Sequence, residues 1–520
     1  MDSSPDNPTM TDTERRYMAE FCERLMKEGI DGRQERDAVS RTTCLTDLAR
    51  AIERKDAIAC ALSSYDVLEQ KGIRNAMLDF GRANALAAER YQTNWQWEQP
   101  NLAREIYYLR RAVLHESFGR IPEASRCKIL NNLGNRLNVA GRIIEALEYW
   151  RRVLEIQPNF GMALSNRARF LAAYAGVLED DSEKALFLLQ AHKEATAALA
   201  PQAIYYSADD ERLRSTLTRL KERIGSAMDK GGITHEDPFS SEDTFDNDEE
   251  RTYRHWCLVN YLYLNPLNDL GPYAIAAEDS LRLGVHVVPV DAPHKFDSFY
   301  DQMKQEYVSA RWLLYEALTA KLPHSSDKDV LLGVTEPRQS LSLATEKIKT
   351  AFRVSYSLFD KIGFFLNGYM GLGIPEKQVS FRTLWRTREK DPIRKEFEVT
   401  SNQSFCALYW LAKDFFEKAN DEVAEPQARG LSEIRNYIEH KYLRVTVDEC
   451  PSVPDDDLAL VVSRKQLELK ALHLLKLARS ALVYLAFGVL FEERRREPAF
   501  AAMPIEVLPS IPHLPDAEKV

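Results

Sequence analysis

Arg435, Asn436 and His440 place a cation, an amide and an imidazole within six residues of the chain. Histidine titrates near neutrality, so His440 could accept or return a proton at physiological pH. The planar guanidinium of Arg435 stays charged and can pair in a bidentate manner with phosphate oxygens. Asn436 could orient the imidazole or an anionic oxygen without transferring protons. The set predicts proton transfer beside an anionic group such as a phosphate.

The segment that carries these residues has the spacing of an amphipathic helix, in which each residue turns by about 100°. The residues that fall on its apolar side, which we expect to face the core, are Leu431, Ile434, Ile438 and Tyr442. His440 projects nearly opposite Leu431, and Asn436 lies one turn earlier on the same flank. Arg435 lies near the core edge beside Glu439. The spacing therefore predicts that His440 points away from its own bundle.

Spacing alone is a weak signal, because Arg110 and His115 have the same separation as Arg435 and His440. Arg111 stands there at the position that corresponds to Asn436, and that segment belongs to the repeat-like half of the chain. We interpret Arg110 and His115 as a solvated helix face. The later segment differs in its context, with Asn after Arg, Glu before His and a Lys-Tyr-Leu ending.

A structural interpretation of the charged residues is also open. Arg435 could pair with Glu439, while His440 only forms a hydrogen bond near the helix end. Asp360 and Lys361 are expected to form an internal salt bridge that supports the helix carrying the motif.

We predict that helices surround and carry the motif, because apolar residues recur at helical spacing through the second half of the chain. The helical segments are roughly 299–320, 340–370, 401–418, 428–443 and 463–495. Residues 281–291 are the clearest strand-like piece, and no strand–helix–strand rhythm is present. The pattern predicts an all-α fold, with an N-terminal helical array followed by a C-terminal helical bundle.

The stretch from Cys127 to Phe160 has the spacing of one tetratricopeptide (TPR) repeat. Its packing residues are Leu133, Gly134, Leu137, Ala146, Trp150, Val153 and Pro158. The small residues would let two antiparallel helices approach, the large ones fill the seam, and the proline ends the second helix. Weaker echoes at 76–81 and 162–168 predict a short array over about residues 40–225. The alternative is a helical bundle with one repeat-like hairpin.

Glycine, proline and acidic residues without hydrophobic periodicity make residues 227–250 the clearest domain boundary. A chain of 520 residues exceeds what one hydrophobic core usually organises. The predicted order is a disordered tail 1–13, a TPR-like helical repeat domain 14–226, an acidic linker 227–250, a connector 251–298, a helical domain 299–497 and a disordered tail 498–520.

The net charge, the cysteines and the apolar segments of the chain argue against several classes of protein. A net charge of −10 argues against the broad electrostatic grip of non-specific duplex binders. Seven unclustered cysteines suit a reducing compartment and indicate neither disulfides nor zinc. The acidic N-terminus lacks the pattern of a secretory signal, and the apolar run Ala481–Phe491 is about half the length of a bilayer span. We expect a cytoplasmic protein with no metal, no cofactor and no membrane attachment.

Around the motif the chain resembles the HEPN superfamily, whose ribonuclease members carry Arg, then Asn, Asp or His, three further residues and His on a late helix. Arg435, Asn436 and His440 match this pattern residue by residue. The resemblance extends to a bacterial HEPN group with N-terminal repeats and covers about residues 250–495. Its collinear segments are Trp256-Cys257, 264–270, Ala310-Arg311, Phe352-Arg353, 357–362, Asn367, 379–382, Trp385, 407–410 and Asp414.

The resemblance implies a C-terminal HEPN-type bundle and metal-independent RNA cleavage, usually in a homodimer that joins two motifs across a cleft. Arg435, Asn436 and His440 would be the catalytic residues. The first hypothesis is therefore a defence or stress-toxin endoribonuclease whose TPR-like repeats bind an unknown protein partner and regulate cleavage. The second is a non-enzymatic adaptor, in which the bundle dimerises or binds nucleotides. An adaptor has no need to present the intact motif outward, and this favours the first hypothesis.

Overall fold

The computed structural model describes residues 11–89, 97–206, 210–233, 247–284, 295–333, 338–388, 391–416, 428–448 and 458–500, with Asp516 and Lys519. Over these residues the protein is helical with one two-stranded sheet, which confirms the predicted all-α fold class. The described residues divide into two compact units. The first lies within Met1–Ala140 and Ala146–Ala163, and the second within Gly141–Glu145, Leu164–Phe416 and Gln427–Val520.

The first unit is built from consecutive helices. They are α1 (Asp12–Glu28), α2 (Glu35–Ala51), α3 (Lys55–Gln70), α4 (Ala76–Glu89), α5 (Pro100–Leu114), α6 (Glu123–Val139) and α7 (Ile143–Ile156), whose first three residues are assigned to the second unit. Helix α1 begins with a capping box, in which Thr11 and Glu14 satisfy each other's backbone amides. Helix α5 starts with proline at its first position, where no amide partner is needed.

Helices α6 and α7 form the hairpin predicted from the repeat-like spacing. A Cβ atom on Gly134 would lie 2.6 Å from Nε1 of Trp150, so only glycine allows the two helices this approach. Trp150 is buried and donates from Nε1 to Oδ1 of Asn135 at 3.1 Å. The predicted packing of small against large residues is therefore present in this hairpin. Its assignment as a TPR repeat remains a prediction.

The second unit contains the remaining helices and the sheet. Its helices are α8 (Gly161–Ala175, assigned to this unit from Leu164), α9 (Asp181–Leu199), α10 (Asp210–Lys230), α11 (Asp248–Val259), α12 (Lys295–Thr319), α13 (Leu343–Tyr369), α14 (Lys395–Glu398), α15 (Gln403–Phe416), α16 (Ala428–His440) and α17 (Arg464–Phe500). Helices α8 to α10, which the sequence analysis grouped with the helical array, thus belong to the compact unit of the later helices.

Helix α17 forms the centre of the second unit and packs against α12, α13 and α15. Every residue from Ala478 to Leu490 except Gly488 contributes a side chain to the interior, and the backbone of Gly488 lies against the Phe405 ring. Of the described helices, only this one is long and apolar enough to cross a membrane. In the protein, 89% of its most apolar 18-residue window is buried. Such burial is typical of a core helix.

The two strands are β1 (Tyr442–Thr446) and β2 (Ala459–Ser463), which pair in parallel with Tyr442 opposite Ala459 and Thr446 opposite Ser463. Gln339 adds an antiparallel bridge to Thr446 on the other side of β1. Neither strand was predicted from the sequence, and the helix predicted over residues 428–443 ends at His440. The signal was the run of aromatic and β-branched residues after His440, which favours a strand.

Three further expectations concern segments near the domain boundaries. Residues 281–284 form no strand, and the rest of the strand-like segment 281–291 lies outside the described residues. Residues 1–10 of the N-terminal tail, residues 234–246 of the acidic linker and most of the C-terminal tail also lie outside the described residues. Helix α10 continues to Lys230 and helix α17 to Phe500. The predicted domain boundaries remain predictions.

Candidate functional site

The site is built on α16, whose apolar side is anchored in the second unit. Leu431 and Ile434 are 2% and 1% exposed, so this side of the helix faces the core as the helical spacing predicts. Asn436 and His440 are exposed, and Arg435 lies between the two environments. Since the pair Asn436 and His440 is separated by one helical turn, both side chains share one solvent-facing flank.

Tyr442 does not lie on the core side of the helix, contrary to the expectation. It is 44% exposed and is the first residue of β1. Its hydroxyl donates to Oε1 of Gln339 at 2.8 Å. Because the chain leaves the helix after His440, the helical step no longer decides where the Tyr442 side chain points. Leu443 and Val445 of β1 enter the core instead and hold the end of the helix in place.

Arg435 contacts an aromatic ring and an amide rather than a carboxylate. Its guanidinium carbon lies 5.5 Å from the centre of the Tyr356 ring, and Nη1 donates to Oδ1 of Asn436 at 3.2 Å. No ion pair joins Arg435 to Glu439, so the structural interpretation of this arginine does not hold. Among the residues that the structure describes, only Asn436 accepts from this guanidinium, which leaves its other N–H groups available to an incoming anion.

His440 is exposed at the last position of α16. Among the residues that the structure describes, its imidazole has no hydrogen-bond partner. The predicted hydrogen bond near the helix end is therefore not found there. In the neutral form of this exposed ring, one nitrogen can accept a proton and the other can donate one.

An aromatic layer lies beneath Arg435. The Tyr356 ring meets the Phe415 ring edge-on with the ring centres 5.7 Å apart, and Phe359 packs against Phe415 at 4.6 Å. Burial raises the pKa of Tyr356 to about 12, with a smaller contribution in the same direction from Asp360. The phenol is therefore uncharged at neutral pH. Sequence reasoning missed Tyr356, since no local pattern relates a residue of α13 to one of α16.

Asp360 and Lys361 do not form the internal salt bridge that the sequence suggested. Lys361 pairs with Glu306 of α12. Oδ1 of Asp360 accepts a hydrogen bond from the backbone amide of Phe381 at 3.2 Å. Adjacent residues on a helix point about 100° apart, so each finds its partner on a different neighbouring element. Asp360 supports the loop beside α13 rather than a lysine.

The earlier pair with the same spacing, Arg110 and His115, is not a solvated helix face. Arg110 is only 5% exposed. Nδ1 of His115 lies 2.9 Å from Oγ of Ser117 and accepts from its backbone amide at 3.1 Å. Helix α5 therefore uses these residues in packing and in the turn that follows it, and they do not form a second exposed motif.

Other polar residues of the collinear segments have structural roles. Arg311 is buried and pairs with Asp279 at 2.7 Å, while Asn268 donates to the carbonyl oxygens of Leu258 and Gly271. Asp414 pairs with the fully buried Arg142. These contacts hold loops onto the helices of the second unit. Within the described ranges, no group of three or more His, Cys, Asp or Glu side chains is arranged to hold a metal ion.

Comparison with known proteins adds one finding. Residues 288–492 match the family model described as LA2681-like HEPN, a range that includes Arg435, Asn436 and His440. Nothing matches the chain among curated proteins or among solved structures. The TPR-like assignment of the earlier helices is supported by no family match. By this similarity, the chain contains a HEPN-type domain within residues 288–492.

Proposed function

We propose that this protein is a metal-independent RNA endonuclease of the HEPN type. The observation that carries the proposal is that α16 exposes Asn436 and His440 on one flank, while the half-buried Arg435 donates from Nη1 to the Asn436 amide oxygen. The flank lies inside the range that matches the HEPN family model. An arginine that pairs with no carboxylate among the described residues, on the same helix as an exposed imidazole, suits a phosphodiester substrate.

The reaction that suits these groups is transesterification within RNA. The ribose 2′-oxygen attacks the adjacent phosphorus and loses its proton, the bond from phosphorus to the 5′-oxygen breaks, and that oxygen takes up a proton. His440 serves as the base or the acid. Arg435 stabilises the charge that accumulates on the phosphate oxygens, and Asn436 orients the imidazole or a phosphate oxygen. The products are a 2′,3′-cyclic phosphate and a 5′-hydroxyl.

A homodimer completes this chemistry, because one imidazole per subunit supplies both an acid and a base to a shared cleft. We propose a role in defence or in a stress response, with cleavage regulated through the TPR-like helices by a protein partner. The tight hairpin of α6 and α7 supports this assignment, since such hairpins stack into arrays that bind proteins.

A second candidate function is a non-enzymatic adaptor. It is favoured by one observation, namely that among the described residues no partner fixes the His440 ring. Catalytic histidines are commonly oriented by a hydrogen bond to the second ring nitrogen. In the nuclease, this orientation would come from the bound substrate or from the second subunit.

A cleavage assay with purified full-length protein, total RNA and excess chelator distinguishes the nuclease from the adaptor. The nuclease proposal expects cleavage products that end in a 2′,3′-cyclic phosphate and that disappear in His440→Ala and Arg435→Ala. His255→Ala, at an exposed histidine of α11, is the matched control and should cleave as the wild type does. Sedimentation should show a dimer.

Induced expression in a bacterial host tests the same proposal when activation requires a cellular trigger. Wild-type protein should arrest growth and fragment cellular RNA, whereas His440→Ala should do neither. A folded wild-type protein that leaves RNA intact both in the assay and in the host would favour the adaptor.

A further inference from the structure

The contact between Arg435 and Tyr356 has the geometry of a cation–π pair. The guanidinium carbon is 5.5 Å from the ring centre, within the roughly 6 Å over which such pairs attract. Tyr356 is 6% exposed, so the interaction is shielded from water on the side of the ring. The two residues belong to α13 and α16, and their contact is a tertiary one.

The ring is held in place by its neighbours. It meets Phe415 at an interplanar angle of 77° and Phe359 at 69°, with ring centres 5.7 Å and 6.4 Å apart. Phe359 in turn packs on Phe381, with their centres 5.4 Å apart. Because these contacts hold the buried ring in the interior, Tyr356 offers Arg435 a fixed surface.

Within the described ranges, no carboxylate forms an ion pair with the Arg435 guanidinium. Asp360, one turn after Tyr356 on α13, accepts from the Phe381 amide, and Glu439 forms no ion pair with Arg435. An aromatic face attracts a cation without using its N–H groups, whereas a carboxylate would use two of them. The raised pKa of Tyr356, about 12, also prevents an ion pair with the phenol at neutral pH. The ring thereby positions the guanidinium, and within the described part of the chain only the Nη1 donation to Asn436 uses one of its N–H groups.

We propose that Tyr356 is a positioning residue for Arg435, and that its ring face holds the guanidinium ready to bind one phosphate of a single RNA strand. This inference rests on the proposed function, which supplies the phosphate. The role requires the aromatic face of Tyr356 and does not require its hydroxyl. Tyr356→Phe should therefore preserve the site, while Tyr356→Leu should impair it.

The probe is a fluorescent 2′-O-methyl oligoribonucleotide, which has no attacking 2′-hydroxyl and can only bind. Its Kd is measured by anisotropy with the full-length protein. Tyr356→Leu should weaken binding about fivefold, the effect of losing one partly desolvated cation–π contact. Tyr356→Phe should stay within about twofold of the wild type. In an Arg435→Ala background, Tyr356→Leu should cause no further loss, since the two residues act as a pair.

Phe365→Leu is the matched control for damage to the fold. Phe365 is a buried aromatic residue of the same helix that packs on Phe296 and does not contact Arg435. Its substitution should lower the melting temperature as much as Tyr356→Leu does and leave the Kd unchanged. Equal losses of binding in both variants, an equal loss in Tyr356→Phe, or additive losses with Arg435→Ala would overturn the proposal. So would a wild type that does not bind the probe.

A parallel cleavage assay on the unmodified RNA separates the two proposals. The expected pattern of binding without any cleavage would support the role of Tyr356 and count against the nuclease. The opposite pattern is that the wild type cleaves the RNA and Tyr356→Leu binds the probe as tightly as the wild type does. This result would contradict the role of Tyr356 and would support the nuclease proposal.

Discussion

Arg479 donates from Nη1 to Oδ1 of Asp269 at 2.6 Å, and the side chains of both residues are almost completely buried. The same guanidinium donates to the carbonyl oxygens of Tyr263 and Asn265, at 2.6 Å and 3.1 Å. Oδ2 of Asp269 accepts from the hydroxyl of Tyr174 at 3.0 Å. The pair thus fastens the short 3-10 turn Pro266–Asp269 to the central helix α17.

Asp269→Ala should strongly destabilise the second unit, because it leaves the Arg479 charge buried without its anion. Breaking one partner of such a pair costs about 3–5 kcal/mol of unfolding free energy. Urea unfolding followed by tryptophan fluorescence measures this loss. Glu20→Ala removes an exposed ion pair with Arg16 and should cost about 1 kcal/mol or less. Equal losses in the two variants would contradict the structural role of the buried pair.

Gly134→Ala should destabilise the hairpin of α6 and α7, because the added methyl group would overlap the indole of Trp150. Overpacking of this kind costs about 1–3 kcal/mol. Gly119→Ala is the control, since a methyl group at Gly119 meets no atom within 4 Å. Thermal unfolding of both variants compares the two positions. If Gly134→Ala is as stable as Gly119→Ala, the helices α6 and α7 can move apart with no loss of unfolding free energy, which would contradict the prediction.

Glu183 should make stability depend on pH, since burial, reinforced by Asp180 and Glu278, raises its pKa from 4.5 to about 7. Below pH 4.5, the folded and unfolded chains both hold this proton. As the pH rises toward 7, the unfolded chain ionises first, so this contribution to stability is lost and the loss levels off above the folded pKa. Glu183→Gln stays neutral at every pH.

The melting temperature of Glu183→Gln should therefore rise relative to the wild type as the pH goes from 4.5 to 8. Differential scanning fluorimetry across this range measures the difference between the two curves. A difference that is constant with pH would mean that Glu183 does not titrate in this window.

Substitution of His440 should change cleavage without changing stability, because this side chain is exposed. His440→Ala should lower kcat by about 10²–10⁴, the usual contribution of one acid–base group. Arg435→Lys keeps the charge but loses the bidentate fork, and should retain only part of the activity that Arg435→Ala abolishes. Single-turnover cleavage and melting temperatures are compared for each variant. Full activity in His440→Ala would refute the assignment of the site.

The helical character of the chain and the outward orientation of Asn436 and His440 could be predicted from the amino-acid sequence. Both depend on local periodicity: apolar residues at helical spacing define Leu431 and Ile434 as the buried side, and the 100° step then turns His440 outward. The close packing of α6 against α7 could also be predicted, because Gly134 and Trp150 lie close together along the chain. The helical spacing wrongly placed Tyr442 on the buried side, because the helix ends at His440 and Tyr442 belongs to β1.

Which distant side chains contact each other could not be predicted from the sequence. Tyr356 beneath Arg435, Glu306 as the partner of Lys361 and Asp269 as the partner of Arg479 each join elements far apart in the chain. The parallel pairing of β1 with β2 is of the same kind. Such contacts depend on how whole helices pack and on which buried charges must be satisfied together, and no periodicity within one segment contains that information.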